Sequence, residues 1–379
     1  MKKFLALILA LVMSLSLVAC GGSKEEAKPA EQPAEEQGAD FSVAMITDYG
    51  DITDQSFNQT TYEACKAYCE ANGVDFNYYK PAGDSTAERV AMVEAAVDDG
   101  YTVVVMPGYA FGETITQVAD EYSDITFIAL DVGEGDLGDY TLPGNVYCAV
   151  YQEELCGYMA GYAAVKLGYT HLGFLGGMAV PAVVRYGYGF VQGADAAATE
   201  TGADVTMEYV YGNQFWGDAD ITAYMDNWYQ TLGVEVVFAC GGGIYASAAE
   251  AAAKVGGKVI GVDVDQAAII DGGYGDGMTV TSAMKGLAPT VEHMLTEVAA
   301  GNFANYGGKI ETLGLVSGDD PAANYVQIPM ESTQWSDSFS QDDYKALVKD
   351  MFDGKITVSN DISAMPATSI AVNEYGNIK

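Results

Sequence analysis

The chain of 379 residues contains 53 acidic and 17 basic residues, and its formal net charge at pH 7 is -36. A protein this acidic repels phosphate backbones, which excludes nucleic acid as a partner. The length suffices for two domains of about 150 residues each. The acidity itself indicates solubility outside the cell and does not describe a ligand.

The first twenty residues, MKKFLALILALVMSLSLVAC, combine two lysines, a short apolar run and small residues ahead of Cys20. This pattern predicts a signal peptide over residues 1–19. LVAC also resembles the lipobox of bacterial lipoproteins, in which the cysteine becomes the lipid-carrying N-terminus. The alternative is an ordinary cleaved signal followed by an unmodified cysteine.

Residues 21–40 contain no aromatic and no β-branched residue, so they cannot bury enough apolar surface to fold. Together with Cys20 they predict a lipidated cysteine followed by a disordered tether over residues 20–40. No later segment offers about 18 uninterrupted apolar residues. We therefore expect an extracytoplasmic protein, anchored to the cell membrane by its N-terminal lipid.

From residue 41 the chain alternates short apolar runs with longer helical patterns. The first series reads strand, helix, strand, helix, strand, helix, strand over residues 41–48, 56–72, 75–81, 85–100, 101–108, 112–123 and 125–131. Residues 145–168, rich in Gly and Ala, predict a closely packed helix. A second alternating series covers residues 170–177, 186–202, 204–212, 221–233, 234–242, 245–256 and 258–265, and a strand at 278–285, a helix at 286–301 and a Tyr-rich tail follow. This alternation predicts two mainly parallel α/β sheets.

Two α/β lobes in series place a ligand between them, at the carboxyl ends of the strands. Three of these predicted ends carry a carboxylate, in Asp48, Asp131 and Asp263, and the glycines at 241–243 follow a fourth. Acidic and Gly-rich strand ends therefore predict the position of a cleft.

Catalytic signals are weak. The two histidines, His171 and His293, belong to no zinc or nucleophile motif and are interpreted as scaffold residues. The segment GGGIYA, residues 241–246, matches G-x-G-x-x-A, and Asp263 follows Gly243 at the spacing of a dinucleotide site. Nicotinamide cofactors are scarce outside the cell, so we expect no cofactor and interpret Gly242 as a point where a ligand approaches the backbone. A secreted enzyme that holds a nucleotide-like cofactor is the alternative.

Five cysteines remain after Cys20, an odd number that cannot pair fully within one chain. Cys65 and Cys69 lie four residues apart on a predicted helix, a spacing that suits a metal, but no histidine or third cysteine lies nearby in sequence. Buried free thiols are the preferred interpretation, and no metal is expected. The five residues are Cys65, Cys69, Cys148, Cys156 and Cys240.

The turn after the first strand reads ITDYGDITDQSFNQTTYEA, residues 46–64. Asp54 or Ser56 is explained by capping of the helix that follows, and Phe57 by packing at its start. Capping does not explain Asp48 at the strand end, near the aromatic Phe57 and the amide of Asn58. These three residues therefore predict one rim of the cleft.

This turn resembles the signature of the basic membrane protein family, lipoproteins that serve as substrate-binding components of ABC importers and include purine nucleoside receptors. FIALD, VVFACGGGIYASAAEAA, VIGVDVDQ and VTSAMKGL extend the resemblance in order, from about residue 41 to at least residue 295.

The resemblance implies a purine held between two aromatic rings. Phe57 matches the first ring, and the second lies within YGNQFWGDAD, at Phe215 or Trp216. The implied polar contacts are the acidic base contact at Asp48, the neighbouring amide at Asn58, the cleft acid at Asp131, the carboxylate for ribose hydroxyls at Asp263 and the sugar-contacting lysine at Lys285. Arg185 lines the cleft or anchors a carboxylate.

The expected architecture is a two-lobed periplasmic-binding-protein-like fold of type I, with a three-strand hinge. We expect residues 41–149 and 264–308 to form the first lobe, and residues 150–263 and 309–379 the second. The expected partners are a nucleoside, an ABC permease with its ATPase, and the membrane through the lipid, and the protein is expected to be a monomer. A sugar receptor of the same fold is the second alternative.

Overall fold

A computed structural model describes residues 41–378. The predicted signal peptide, the lipidation of Cys20 and the tether of residues 20–40 lie outside the described residues. Within residues 41–378, none of the helices is both long and apolar enough to cross a membrane.

The first sheet contains six strands, all parallel, in the order β11-β5-β4-β3-β1-β2. Its strands are β1 Val43–Ile46, β2 Phe76–Tyr79, β3 Val103–Pro107, β4 Thr126–Leu130, β5 Val146–Tyr151 and β11 Lys309–Leu313. β1 and β3 are buried along their whole length. Continuous apolar runs of this kind are typical of parallel strands that are covered on both faces.

The second sheet contains seven strands in the order β12-β10-β9-β8-β6-β7-β13, and only the short β12 is antiparallel to its neighbour. Its strands are β6 His171–Gly176, β7 Thr206–Tyr211, β8 Val236–Cys240, β9 Lys258–Asp263, β10 Thr279–Lys285, β12 Val326–Gln327 and β13 Ala371–Asn377. The Tyr-rich tail thus supplies β13, an edge strand.

Helices flank both sheets. They are α1 Phe57–Asn72, α2 Thr86–Asp98, α3 Phe111–Val118, α4 Glu134–Leu137, α5 Glu153–Lys166, α6 Pro181–Thr201, α7 Ala219–Asn227, α8 Tyr245–Ala253, α9 Ala267–Tyr274, α10 Leu287–Ala299 and α11 Gln341–Phe352. Local signals set several ends: Ser85 caps α2, and α6 begins at Pro181 and ends before Gly202, which has a left-handed φ of 72°. The predicted α/β fold with two mainly parallel sheets is confirmed.

The segment 145–168, predicted as one helix, divides into β5 and α5. Its helical half packs against α6 at very short distance, as its Gly and Ala spacing predicted. A Cβ on Gly161 would lie 2.1 Å from the carbonyl oxygen of Phe190, and one on Gly193 would lie 2.0 Å from that of Tyr158. These glycines therefore allow the backbones of α5 and α6 to touch.

The chain crosses between the sheets three times, after β5, after β10 and after β11. We call the first sheet with its helices the first lobe, and the second sheet with its helices the second lobe. α10 returns to the first lobe, where it packs against α1, and Tyr68 donates a hydrogen bond to the carbonyl of Leu295.

The predicted assignment of two strands was wrong. β10, within residues 264–308, belongs to the second sheet, where it pairs with β9; β11, within residues 309–379, belongs to the first sheet, where it pairs with β5. The physical reason is that successive strands joined by one helix usually pair with each other, and α9 joins β9 to β10 in this way. The second crossing therefore follows Lys285 and not Asp263.

Candidate ligand-binding site

A cavity of about 760 Å³ lies between the two lobes, at the carboxyl ends of their strands. It is of the size that accommodates small-molecule ligands. All nine residues that the sequence predicted for ligand binding line it: Asp48, Phe57, Asn58, Asp131, Phe215, Trp216, Gly242, Asp263 and Lys285. The structure thus brings together residues up to 237 positions apart in one cavity, and their roles toward a ligand remain predictions.

Two strand ends place a carboxylate in the cavity through unusual backbone conformations. Asp131 follows β4 with a φ of 61°, and Asp263 ends β9 with a φ of 64°. Non-glycine residues rarely adopt this left-handed region, and Asp is among the types that tolerate it best. Such conformations persist where the surrounding structure enforces them, and they cluster at functional sites.

Lys285, at the end of β10, connects three carboxylates. Its ammonium forms an ion pair with Asp131 and lies 3.6 Å from Glu153 Oε1 and 3.7 Å from Asp263 Oδ1. The side chain is only 3% exposed. Burial alone would lower the pKa of Lys285, but the charges of Asp131, Asp263 and Glu153 outweigh it and raise the pKa. Lys285 therefore stays charged, in a cluster with an excess of carboxylates.

Aromatic rings surround this ammonium. The Lys285 nitrogen lies 4.7 Å from the centroid of the Phe57 ring, 5.5 Å from that of Tyr151 and 5.7 Å from that of Tyr186. Rings at these distances attract a cation through their negative faces. The first predicted stacking ring, Phe57, is therefore held beside the charged cluster.

Glu153 and Arg185 complete the cluster. Arg185 donates to Glu153 Oε2 at 2.6 Å, and Arg185 also lines the cavity, so both interpretations of this arginine hold. Burial raises the pKa of Glu153, and Arg185 and Lys285 partly offset this rise. Glu153 was not predictable from the sequence, because nothing in the pattern EEL at the start of α5 distinguishes it from a solvated helix end.

The turn after β1 is fixed by side-chain hydrogen bonds. Asp54 caps α1, since it accepts from the backbone nitrogens of Ser56, Asn58 and Gln59 at 2.9–3.1 Å. The amide of Asn58 bridges the turn: its nitrogen donates to Asp54 at 3.1 Å, and its oxygen accepts from the nitrogen of Asp48 at 3.4 Å. Asn58 thus lines the cavity and also holds Asp48 and Asp54 in position within the turn.

Asp48 presents a buried carboxylate beside Gly108. Its Oδ1 accepts from the backbone nitrogens of Tyr49 at 2.6 Å and Gly50 at 2.7 Å. Burial raises the pKa of Asp48, and these backbone hydrogen bonds and the Asn58 amide partly offset the rise. With Oδ1 occupied, Oδ2 is the atom of Asp48 left to meet a ligand.

Ser56 does not cap α1 with its side chain. Its hydroxyl instead donates to Asp263 Oδ2 at 2.6 Å, which joins the first lobe to the second. Gln266 donates to the backbone oxygen of Gln55 at 3.0 Å and gives a second bond between the lobes. The sequence predicts only a capping role for Ser56, so this contact between the lobes is an addition from the structure.

Phe215 and Trp216 occupy different parts of the second rim. The Phe215 ring lies over two glycines, where a Cβ on Gly177 would be 2.3 Å and one on Gly241 2.8 Å from it. Trp216 is 54% exposed, and Phe215 is partly buried. The Gly-rich turn therefore serves to seat an aromatic ring, which favours Phe215 as the inner of the two candidates.

The charges that line the cavity are mostly negative. Three basic side chains line it, and each has an acidic partner: Lys80 donates to Asp51 at 2.7 Å, and Arg185 and Lys285 are paired as described above. Seven carboxylates line the same cavity, those of Asp48, Asp51, Asp54, Asp131, Glu134, Asp136 and Asp263. An anionic ligand would therefore meet net repulsion.

All five cysteines of the described region are free and buried, as predicted. Within residues 41–378, no group of three or more His, Cys, Asp or Glu side chains has the arrangement of a metal site. His171 lies at the start of β6 and pairs with Glu208 at 3.0 Å, and His293 contacts the hydroxyl of Tyr306, so neither belongs to the cavity.

Two α/β lobes with a cavity between the carboxyl ends of their strands form a fold that occurs in solute-binding proteins. A solute-binding protein of an ABC transporter system from Aeropyrum pernix K1 superposes with a TM-score of 0.64 at 22% identity, covering 85% of this chain and 88% of that one. This similarity shows the fold.

The chain belongs to the family of PnrA-like ABC transporter substrate-binding proteins, whose model matches residues 41–349. The ABC transporter nucleoside-binding protein BmpA of Lactococcus lactis is 25% identical over 375 residues, covering 94% of this chain and 99% of that protein. The CD4+ T-cell-stimulating antigen of Listeria innocua is 29% identical over 329 residues, covering 82% and 87%. The predicted family is confirmed, and it is a family of ABC transporter substrate-binding proteins.

Proposed function

We propose that the protein binds a nucleoside, in particular a purine nucleoside, between its lobes and delivers it to an ABC permease and its ATPase. The observation that carries the proposal is the presence, in one cavity, of the aromatic rings of Phe57 and Phe215 with the buried Asp263–Lys285 pair. A flat base suits the rings, and a sugar with neighbouring hydroxyls suits the carboxylate. The relative from Lactococcus lactis is named as nucleoside-binding.

In this proposal the base stacks on Phe57 and on Phe215 or Trp216, and Asp48 accepts hydrogen bonds from its edge. Each stacked ring contributes about 1–3 kcal/mol. Asp263 accepts from the ribose hydroxyls and Lys285 donates to the sugar, at about 1.5–3 kcal/mol for each charged hydrogen bond. These terms suffice for micromolar affinity, about -8 kcal/mol.

The charge of the cavity favours nucleosides over nucleotides. A phosphate would require an unpaired cation, whereas Lys80, Arg185 and Lys285 are each paired with a carboxylate. A nucleoside brings only neutral hydrogen-bonding groups, which the carboxylates and Lys285 can satisfy. We therefore expect adenosine to bind and adenosine 5′-monophosphate to be rejected.

Lipidation of Cys20 and an extracytoplasmic, monomeric protein tethered to the membrane belong to the same proposal. The sequence of residues 1–40 supports them, and membership of a substrate-binding family fits a protein that delivers its ligand to a membrane permease. Mass spectrometry of the N-terminal peptide from membranes tests the lipidation, since an unmodified Cys20 would contradict it.

Calorimetric titration with adenosine, guanosine, inosine and ribose tests the ligand class. We expect micromolar or tighter binding of at least one nucleoside and none of ribose at the same concentrations. Binding of ribose without any nucleoside would favour the alternative of a sugar receptor. Product analysis after incubation with nucleosides tests the alternative of an enzyme, for which the nucleoside would be consumed.

A further inference from the structure

The described chain continues beyond the residues that the family model matches. The family match ends at residue 349, whereas the described residues extend to 378. Between α11 and β13 the chain runs along α6 of the second lobe. We call residues 359–369 of this run the tail segment.

Hydrogen bonds fix both ends of the tail segment to α6. Gln192 donates to the backbone oxygen of Ser359 at 3.0 Å and accepts from its nitrogen at 2.9 Å. At the other end, Asp195 accepts from the backbone nitrogens of Ser369 at 2.7 Å and Ile370 at 3.1 Å, and from the Ser369 hydroxyl. The tail segment is therefore held in place on α6.

Ile362 lines the ligand cavity, although it lies outside the family match. Three extended residues after Ser359 reach about 10 Å, which equals about seven residues of helix rise. From Gln192 this distance leads back along α6 to Arg185, which lines the cavity too. Ile362 is 37% exposed and lines the cavity, as do Val180, Pro181 and Ala182 at the start of α6, and we call these four residues the apolar wall.

The part of the apolar wall that begins α6 is near the carboxylate assigned to the sugar. The hydroxyl of Tyr186, also in the first turns of α6, is 3.4 Å from Asp263 Oδ1. If Asp263 takes the ring hydroxyls and the base is stacked, the 5′ carbon is the sugar position left to carry a substituent.

We propose that Ile362 is a specificity-determining residue and that, with Val180 and Pro181, it favours nucleosides with an apolar substituent on the 5′ carbon. The proposal rests on the proposed function and adds a ligand subclass to it. An apolar 5′ group would bury surface against this wall, which is favourable. A charged 5′ group would find no unpaired cation among the residues that line the cavity.

The experiment compares adenosine with 5′-deoxy-5′-methylthioadenosine by calorimetry. We expect the full-length wild-type protein to bind the methylthio compound at least as tightly as adenosine. Ile362→Asp should weaken binding of the methylthio compound at least fivefold and of adenosine less than twofold. Val255→Asp is the matched control, because Val255 is exposed and does not line the cavity, and it should change neither affinity.

Circular dichroism of each variant shows whether it folds. Ile362→Ala, which adds no charge, should also weaken binding of the methylthio compound more than binding of adenosine, but by a smaller factor than Ile362→Asp. Equal losses for both compounds, or none, would overturn the role of Ile362. Wild-type protein that binds adenosine at least tenfold more tightly than the methylthio compound would also overturn it and leave the proposed function standing. Wild-type protein that binds neither compound, nor any other nucleoside, would overturn the proposed function itself.

Discussion

Single residues determine the chemistry of the cavity. Asp263 reaches it through a left-handed backbone, and its pKa is raised by burial despite the neighbouring Lys285 and Ser56. The sequence predicts Asp263 because a carboxylate at a strand end is a local pattern. It does not predict the bond from Ser56, because the two residues are 207 positions apart.

Asp263→Asn should weaken adenosine binding by about tenfold or more, since the charged acceptor for the sugar hydroxyls is lost. The loss should be smaller for 2′-deoxyadenosine, which has one hydroxyl fewer to offer. Calorimetry with both ligands measures the difference. Equal losses would indicate that Asp263 does not contact the 2′-hydroxyl.

The same calorimetry distinguishes the contributions of the two candidate stacking rings, Phe215 and Trp216. Phe215→Ala should weaken nucleoside binding by roughly 1–3 kcal/mol, the value of one stacked base. Trp216→Ala should cost less, because the Trp216 side chain is largely exposed. A larger loss for Trp216→Ala would make Trp216 the stacking residue.

Glu154, next to the charged cluster, gives a pH-dependent contribution to stability. Burial, followed by the charge of Glu153, raises the pKa of Glu154 from 4.5 to about 7. A raised pKa means that protonated Glu154 contributes stability below pH 4.5, and this contribution is lost as the pH rises through 7. The loss is on the order of 3 kcal/mol.

Glu154→Gln, which stays neutral, should therefore make the protein more stable than wild type at pH 8 and have little effect at pH 4.5. Urea unfolding at several pH values measures the free energy of unfolding of both proteins. The same pH dependence in both would show that Glu154 titrates normally.

At the scale of elements, the alternation of strands and helices was predictable because buried parallel strands and amphipathic helices have distinct periods. The placement of β10 could have been predicted from the single helix α9 that joins it to β9, whereas that of β11 could not, because β11 pairs with β5, which lies far from it in sequence. The closeness of α5 and α6 was visible in the Gly and Ala spacing, and it has a measurable consequence.

Gly161→Ala should destabilise the protein by about 1–3 kcal/mol, although alanine is the better helix former, because its Cβ would meet the backbone of α6. Gly272→Ala in α9 is the matched control, since a Cβ there has open space and should be neutral or stabilising. Chemical denaturation measures the free energy of unfolding of both variants and of the wild-type protein. If Gly161→Ala were as stable as the wild-type protein, α5 and α6 would be able to move apart at little cost in free energy.

At the scale of the whole molecule, the lobes are joined across the cavity by Ser56–Asp263 and Gln266–Gln55. A hydrogen bond to a charged group is worth about 1.5–3 kcal/mol, enough to change the ratio of closed to open molecules by roughly tenfold or more. The Ser56 hydroxyl thus favours the closed arrangement.

Ser56→Ala should therefore increase the radius of gyration of the unliganded protein in small-angle X-ray scattering, and saturating adenosine should reverse the increase. Ser247→Ala removes a buried hydroxyl within the second lobe, where Ser247 donates to the backbone oxygen of Asp218, and serves as the control. An identical radius for both variants would exclude a role of Ser56 in closure.

The threefold crossing of the chain also determines the order in which the sheets are completed during synthesis. The edge of β5 stays unpaired until β11 has been made, after most of the second sheet, and β7 waits for β13 at the end of the chain. Unpaired strand edges invite association with other chains. A nascent polypeptide of this protein thus exposes the edge of β5 until residue 313 has emerged and the edge of β7 until β13 has emerged, so partly synthesised chains are open to aggregation.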